Sequence, residues 1–169
     1  MADEGKGTMG QGAGLERPPG LIGENPEERI LRALLEGFPG AMTDFKKLRA
    51  GLIRAKIERR DLLRACKMLR DQLGFEHCSM ISAVEYDSRF EIVYHINSYQ
   101  HKVMLELITH TPLDDPTVDS VSAIWGGADW QEREAFDLMG VKFNNHPKLE
   151  RILLPKDYLY HPLRKDFKG

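Results

Sequence analysis

Two periods of apolar side chains run through the chain from residue 25 onward, and they predict its elements. Asn25 stands ahead of Pro26 with Glu28 three residues on, and Ile30, Leu31, Leu34 and Leu35 follow at helical spacing. This predicts a short helix capped by Asn25 and ended by Gly37 and Pro39. From Gly51 to Ile57 the pattern changes: Ile53, Ala55 and Ile57 alternate with Arg54 and Lys56, the period of a strand with one solvated face. A second helix follows, with Leu62, Cys66, Leu69 and Leu73 on one stripe and Gly74 placed to stop it. Three strand-like runs come next, roughly 79–86, 90–97 and 102–110, joined by Asp87-Ser88 and Asn97-Ser98. Connections this short require antiparallel neighbours. Phe90, Ile92, Tyr94 and Ile96 share one face of the middle run, and that face is expected to pack on the helices.

Pro112 and Pro116 punctuate the exit from these strands. Asp129 as N-cap, Glu132 in the capping-box position and Gly140 beyond the end predict a further helix. At helical spacing Trp130, Arg133, Glu134 and Asp137 form a polar stripe, whereas Ala135, Leu138 and Met139 gather elsewhere. From Asn144 to Gly169 no sustained period is found, and Pro147, Pro155 and Pro162 cut the segment into short extended pieces. Yet this arm carries Ile152, Leu153, Leu154, Tyr158, Leu159, Tyr160 and Phe167. An isolated coil would leave that surface in water at roughly 25 cal/mol per Å². Part of it can be covered by the protein's own sheet, but basic residues interleave with it, and the arm reads equally as a belt across another subunit.

The expected fold is therefore α+β: an antiparallel sheet of about four strands, helices packed on one face, and an extended C-terminal arm. Residues 1–24, rich in Gly and poor in large apolar side chains, are expected to form a flexible tail. Residues 25–143 form the α+β domain and residues 144–169 the arm. With 169 residues, 41% of them hydrophobic, the chain supports one core rather than two.

Charge and composition exclude several functions. Lys and Arg number 24 against 26 acids, which gives no overall field for nucleic acid. Apolar runs such as Ile152-Leu153-Leu154 fall far short of the roughly 18 residues of a membrane helix, so membrane association is expected only through partners. The first residues lack the apolar stretch of a secretory signal, so a cytoplasmic setting is expected. Cys66 and Cys78 read as reduced, structural thiols. Two cysteines are too few for an iron-sulfur cluster, and no glycine-rich nucleotide or phosphate loop occurs. Glu132, Glu134 and Asp137 surround Arg133, which favours an ion-pair lattice over acid–base catalysis. Arg133, Arg151 and Arg164 suit bidentate pairing with carboxylates. His146 and His161, each followed by proline, match no zinc-ligand spacing and read as shaping turns.

The run from Glu132 to Phe167, EREAFDLMGVKFNNHPKLERILLPKDYLYHPLRKDF, resembles the signature of the 30 kDa (C) subunit family of complex I, the NADH:quinone oxidoreductase, and of related membrane-bound dehydrogenases and hydrogenases. The resemblance rests on Glu132, Arg133, Glu134, Asp137, Gly140, Phe143, His146-Pro147, Arg151-Ile152-Leu153, Pro155 and His161-Pro162-Leu163-Arg164-Lys165-Asp166-Phe167, in that order and spacing. It implies a non-catalytic structural or assembly subunit of the peripheral arm, on the cytoplasmic side of the membrane. It implies no cofactor in this chain; iron-sulfur clusters, with or without a flavin, belong to partner subunits. The partners implied are the large quinone-site (D-like) subunit and the small iron-sulfur (B-like) subunit, with the signature residues at the interface. The electron donor (NADH, ferredoxin, reduced deazaflavin or hydrogen) and the acceptor (quinone or phenazine) are open at this point. So are a place in a related hydrogenase and an independent metal-binding module.

Overall fold

A computed structural model describes residues 25–168, so the tail expected over residues 1–24 lies outside the described residues. Helix α1 (Pro26–Gly37) starts where the sequence places its cap: Asn25 Oδ1 accepts the Glu27 amide at 3.1 Å. Its second residue has a role that periodicity does not reveal. The Glu27 carboxylate is buried, accepts the Gly51 amide at 2.6 Å and pairs with Lys47 at 2.6 Å. The Lys47 bond and the Gly51 amide hold it below the usual carboxylate range against desolvation. This ties α1 to the turn between strands β1 (Met42–Arg49) and β2 (Leu52–Ile57).

After β2 a single 3-10 turn leads into α2 (Leu62–Asp71), and then come β3 (His77–Glu85), β4 (Arg89–Ser98) and β5 (Val103–Pro112). The sheet has five strands in the order β1-β2-β5-β4-β3. The three consecutive strands are antiparallel, as their short turns require. Two features differ from the sequence reading. β1 adds a fifth strand, and β2 lies parallel to β5, with Leu52 opposite Met104, so the sheet is mixed. The parallel pair is possible because α2 and the β3–β4 hairpin separate its strands along the chain.

Alternation decides what each face carries. Ile53, Ala55, Ile92, Tyr94, Ile96, Leu105 and Leu107 form one core with Ile30 and Leu34 of α1 and with Leu62, Cys66 and Leu69 of α2. The opposite face is mixed: Val93 and Ile108 pair there, buried, beside charged residues, and Arg54 makes a bidentate pair with Glu106 at 2.9 and 3.1 Å. Helix α3 (Ala128–Met139) packs along β3, and Gly140, at φ 77°, ends it in the left-handed conformation that glycine adopts without strain. Short strands β6 (Thr117–Asp119) and β7 (Lys142–Asn144) pair in parallel on either side of α3 in the sequence. Asn144, expected as the first residue of the arm, therefore closes a strand; the irregular segment begins after it.

Candidate functional site

The signature residues converge on α3 and the segments that bracket it. The helix begins two residues earlier than the sequence implies: Gly127 is its N-cap, and Asp129 sits inside the first turn. A preceding turn explains this. The carbonyl of Val121 accepts the amides of Ile124 and Trp125, and the buried Trp125 anchors the turn by donating its indole N–H to the Phe75 carbonyl at 3.1 Å. Glu132 is thus not a capping-box partner of Asp129. It lies on the inward stripe with Ala128, Ala135 and Met139 and is fully buried.

There the Glu132 carboxylate accepts the Ser120 hydroxyl at 2.6 Å and the Val121 amide at 2.7 Å, joining α3 to the loop before it. No Lys or Arg pairs with it among the described residues; its nearest basic neighbour is the His146 ring, 3.8 Å away. His146 Nδ1 accepts the Lys148 amide, which leaves the ring proton on Nε2 facing the Asp129 carbonyl at 3.2 Å. Desolvation pushes the Glu132 carboxyl up to about 7, against the Ser120 and Val121 hydrogen bonds, with the Asp129 charge adding to the rise.

Asp137, one and a half turns further on, is also fully buried and has the opposite surroundings. Oδ2 accepts three successive arm amides, Ile152 at 3.0 Å, Leu153 at 2.7 Å and Leu154 at 3.0 Å, while Oδ1 accepts Arg151 Nη1 at 2.6 Å. Desolvation alone would raise this carboxyl. The amides of Leu154 and Leu153, the Arg151 guanidinium and the Ile152 amide outweigh it and hold the group below its ordinary value. The arm also satisfies carbonyls left open at the end of α3. Arg151 and His161 Nδ1 both reach the Asp137 carbonyl, at 3.0 and 2.9 Å, and the Leu163 amide donates to the Leu138 carbonyl at 3.0 Å.

The polar stripe read from helical spacing therefore divides. Trp130 and Glu134 face outward, Asp137 faces inward, and Arg133 donates to the Glu150 carbonyl at 3.0 Å while lying over the Trp130 ring. The expected carboxylate lattice around Arg133 does not form, because Glu132 and Asp137 point at backbone donors from other segments. Nor does any of the three arginines pair bidentately with a carboxylate: Arg151 gives Asp137 Oδ1 only Nη1 and turns Nη2 to the Tyr160 carbonyl, and Arg164 lies over the Phe90 ring and 3.4 Å from Asp166. Lys165 contacts the end of β3, its amide donating to Glu85 and its ammonium pairing with Asp87. Phe167 packs near Tyr160, and Tyr160 near Tyr158.

The chemistry on offer is that of contact. Among the described residues no group of three or more His, Cys, Asp or Glu side chains is placed to hold a metal ion. No helix of the described residues is long and apolar enough to cross a membrane. Burial pushes the Cys66 thiol well above its ordinary value and Cys78 up to about 12, far from a reactive thiolate. The arm, by contrast, presents Leu153, Leu159, Tyr160 and Leu163 with 60, 81, 62 and 60% of their surface exposed. The sequence locates these apolar residues but not which of them stay uncovered.

Comparison with known proteins follows the same residues. The family model described as respiratory-chain NADH dehydrogenase, 30 Kd subunit, matches residues 55–169. The C subunit of the NADH-quinone oxidoreductase of Geobacter metallireducens is 38% identical over 143 residues, covering 82% of this chain and 88% of that protein. The C subunit of the F(420)H(2) dehydrogenase of Methanosarcina mazei is also 38% identical over 143 residues, covering 83% and 90%. Among solved structures, the trypsin-resistant fragment of Nqo5 superposes with a TM-score of 0.60 at 25% identity, over 73% of this chain and 99% of the fragment. A chain of the archaeal membrane-bound sulfane sulfur reductase gives 0.73 at 24% identity over 83% and 85%, a likeness of fold.

Proposed function

Since this chain belongs to the family of the respiratory-chain NADH dehydrogenase 30 kDa subunit, we propose that it is a structural subunit of a complex I-like oxidoreductase and carries no redox centre. In this reading it docks on the cytoplasmic side beside the large quinone-site subunit and the small iron-sulfur subunit. Iron-sulfur clusters, and a flavin where one is used, lie in partner chains. The signature residues act by shaping the docking surface. The reading does not depend on the electron donor, because relatives named for NADH and for F(420)H(2) align over nearly the same share of the chain.

The observation that carries the proposal is the exposed apolar row Leu153, Leu159, Tyr160 and Leu163 on a segment whose backbone is pinned to α3. A floating tail would pay a large ordering cost on binding; a pinned one has met part of it already. Covering Leu159 and Tyr160 with a neighbour is worth about 2 kcal/mol each. Substituting both with Ser is therefore expected to lower incorporation into the membrane complex tenfold or more while the free chain keeps its circular dichroism. Incorporation is read by affinity purification of the tagged chain followed by native gels and quinone-reductase activity. Wild-type incorporation and activity of the double variant would refute the docking role of the arm.

A further inference from the structure

The arm is held to the domain in an unusual way. Among the apolar side chains of its described residues only Leu149 packs against the hydrophobic core; Ile152, Leu154, Tyr158 and Phe167 are half-buried without joining it, and otherwise only Arg164, over the Phe90 ring, and His161, edge-on to Phe136, reach it. What fixes the segment is polar and concentrated on one residue. The Asp137 carboxylate takes four hydrogen bonds from Arg151, Ile152, Leu153 and Leu154, and its carbonyl takes two more from Arg151 and His161. Arg151 then reaches across the arm to the Tyr160 carbonyl at 3.1 Å, bracing the second half of the segment against the first. The remaining ties, Arg133 to the Glu150 carbonyl, Leu163 to Leu138, Arg164 over the Phe90 ring and Lys165 to Glu85 and Asp87, are single contacts spread along the arm on either side of this centre.

Charge-assisted hydrogen bonds are strong individually, but a segment with few buried apolar contacts adds little cooperativity with the core. The grip therefore makes and breaks as one event. We infer that Asp137 is a latch, a positioning residue on which arm residues 150–165 close as a unit of their own, separable from the sheet domain. Closure sets the backbone beneath Leu153, Leu159, Tyr160 and Leu163 before any partner arrives. That last consequence rests on the docking role proposed above; the latch itself does not.

Asn at position 137 keeps the shape of Asp but replaces one acceptor with an NH₂ group. With its oxygen toward the three amides, the NH₂ faces the Arg151 donor; turned over, it faces the amides. Neither orientation satisfies the site.

Hydrogen exchange by mass spectrometry on the purified full chain tests the latch. In the wild type, peptides spanning residues 148–165 are expected to exchange together, at least tenfold faster than those of β4 and β5 and with a weaker denaturant dependence. Asp137→Asn is expected to speed arm exchange a further tenfold or more with β4 and β5 unchanged. Arg151→Gln, which leaves the three amides on the carboxylate, is expected to have a smaller effect in the same direction. Arm peptides exchanging in the wild type at the rate and denaturant dependence of β4 and β5 would overturn the inference, and this readout stands even if Asp137→Asn does not fold. Unchanged arm exchange in a folded Asp137→Asn protein would overturn it too. Because the assay uses the chain alone, it can fail while the Leu159/Tyr160 experiment succeeds, and the converse.

Discussion

Glu132→Gln offers a quantitative check on the interior of the protein. Glu132 is fully buried, accepts Ser120 and Val121, and is faced by Asp129 of its own helix and by the His146 ring. Cys66 of α2, Cys78 of β3 and Tyr94 of β4 also lie close enough to feel its charge, and among the described residues no lysine or arginine pairs with it. The carboxyl is raised from 4.5 to about 7. The folded state therefore binds this proton more tightly than the unfolded chain. Glu132's contribution to stability is fully present below pH 4.5, falls as the pH rises toward 7, and is flat above. The full change, at roughly 1.4 kcal/mol per pH unit, is about 3 kcal/mol. Gln has nearly the same shape, can accept the Val121 amide and can donate to the Ser120 oxygen, whose proton turns to Ser122 Oγ, 2.7 Å away. The variant is expected to match the wild type near pH 4.5 and to exceed it by about 3 kcal/mol at pH 8, or roughly 6–12 °C in Tm. Thermal and urea unfolding at the two pH values measure this. A Gln variant destabilised to the same extent at both would show that the carboxylate is ionised in the folded state throughout, and the reasoning would fail.

Two further substitutions probe neighbouring features. Tyr94 is fully buried and its hydroxyl has no hydrogen-bond partner among the described residues, so Tyr94→Phe is expected to leave stability unchanged or raise it by up to about 1 kcal/mol; a loss of more than about 2 kcal/mol in urea unfolding would show a bonded hydroxyl. Gly140 combines φ 77° with a site where an added Cβ would lie 2.8 Å from His161 Cδ2. Gly140→Ala is expected to cost about 1–3 kcal/mol and to loosen the arm along with the helix end; unfolding within about 0.5 kcal/mol of wild type would refute the close approach.

The sequence predicts α1, β2, α2 and the β3–β4–β5 meander because each has a clean period and legible punctuation. β1 escapes for a physical reason. It is an edge strand with two register shifts and a left-handed Asp44, so most of its residues are at least partly exposed and no alternation develops. Periodicity also assigns faces without assigning neighbours, and the parallel β2–β5 pair therefore has no local signal. At the site, residue identity and spacing bring the right amino acids forward, while their roles depend on donors distant in sequence. Glu132 and Asp137 look like surface charges on a helical wheel. They are interior because Val121 stands eleven residues before one and Leu154 seventeen after the other. No property of α3 itself announces those donors.

The central position of β5 has a consequence for how the chain reaches its native state. β2 finds its inner neighbour only when Leu52 meets Met104, so the β1–β2 hairpin waits with one edge unsatisfied until about fifty further residues have been synthesised. The β3–β4–β5 meander, built from local pairings, is the expected nucleus, with β2 expected to join it last; φ-values near zero for β2 substitutions would bear this out and values near one would refute it. During synthesis, the vulnerable species is then a nascent chain whose apolar Ile53, Ala55 and Ile57 have no sheet to enter.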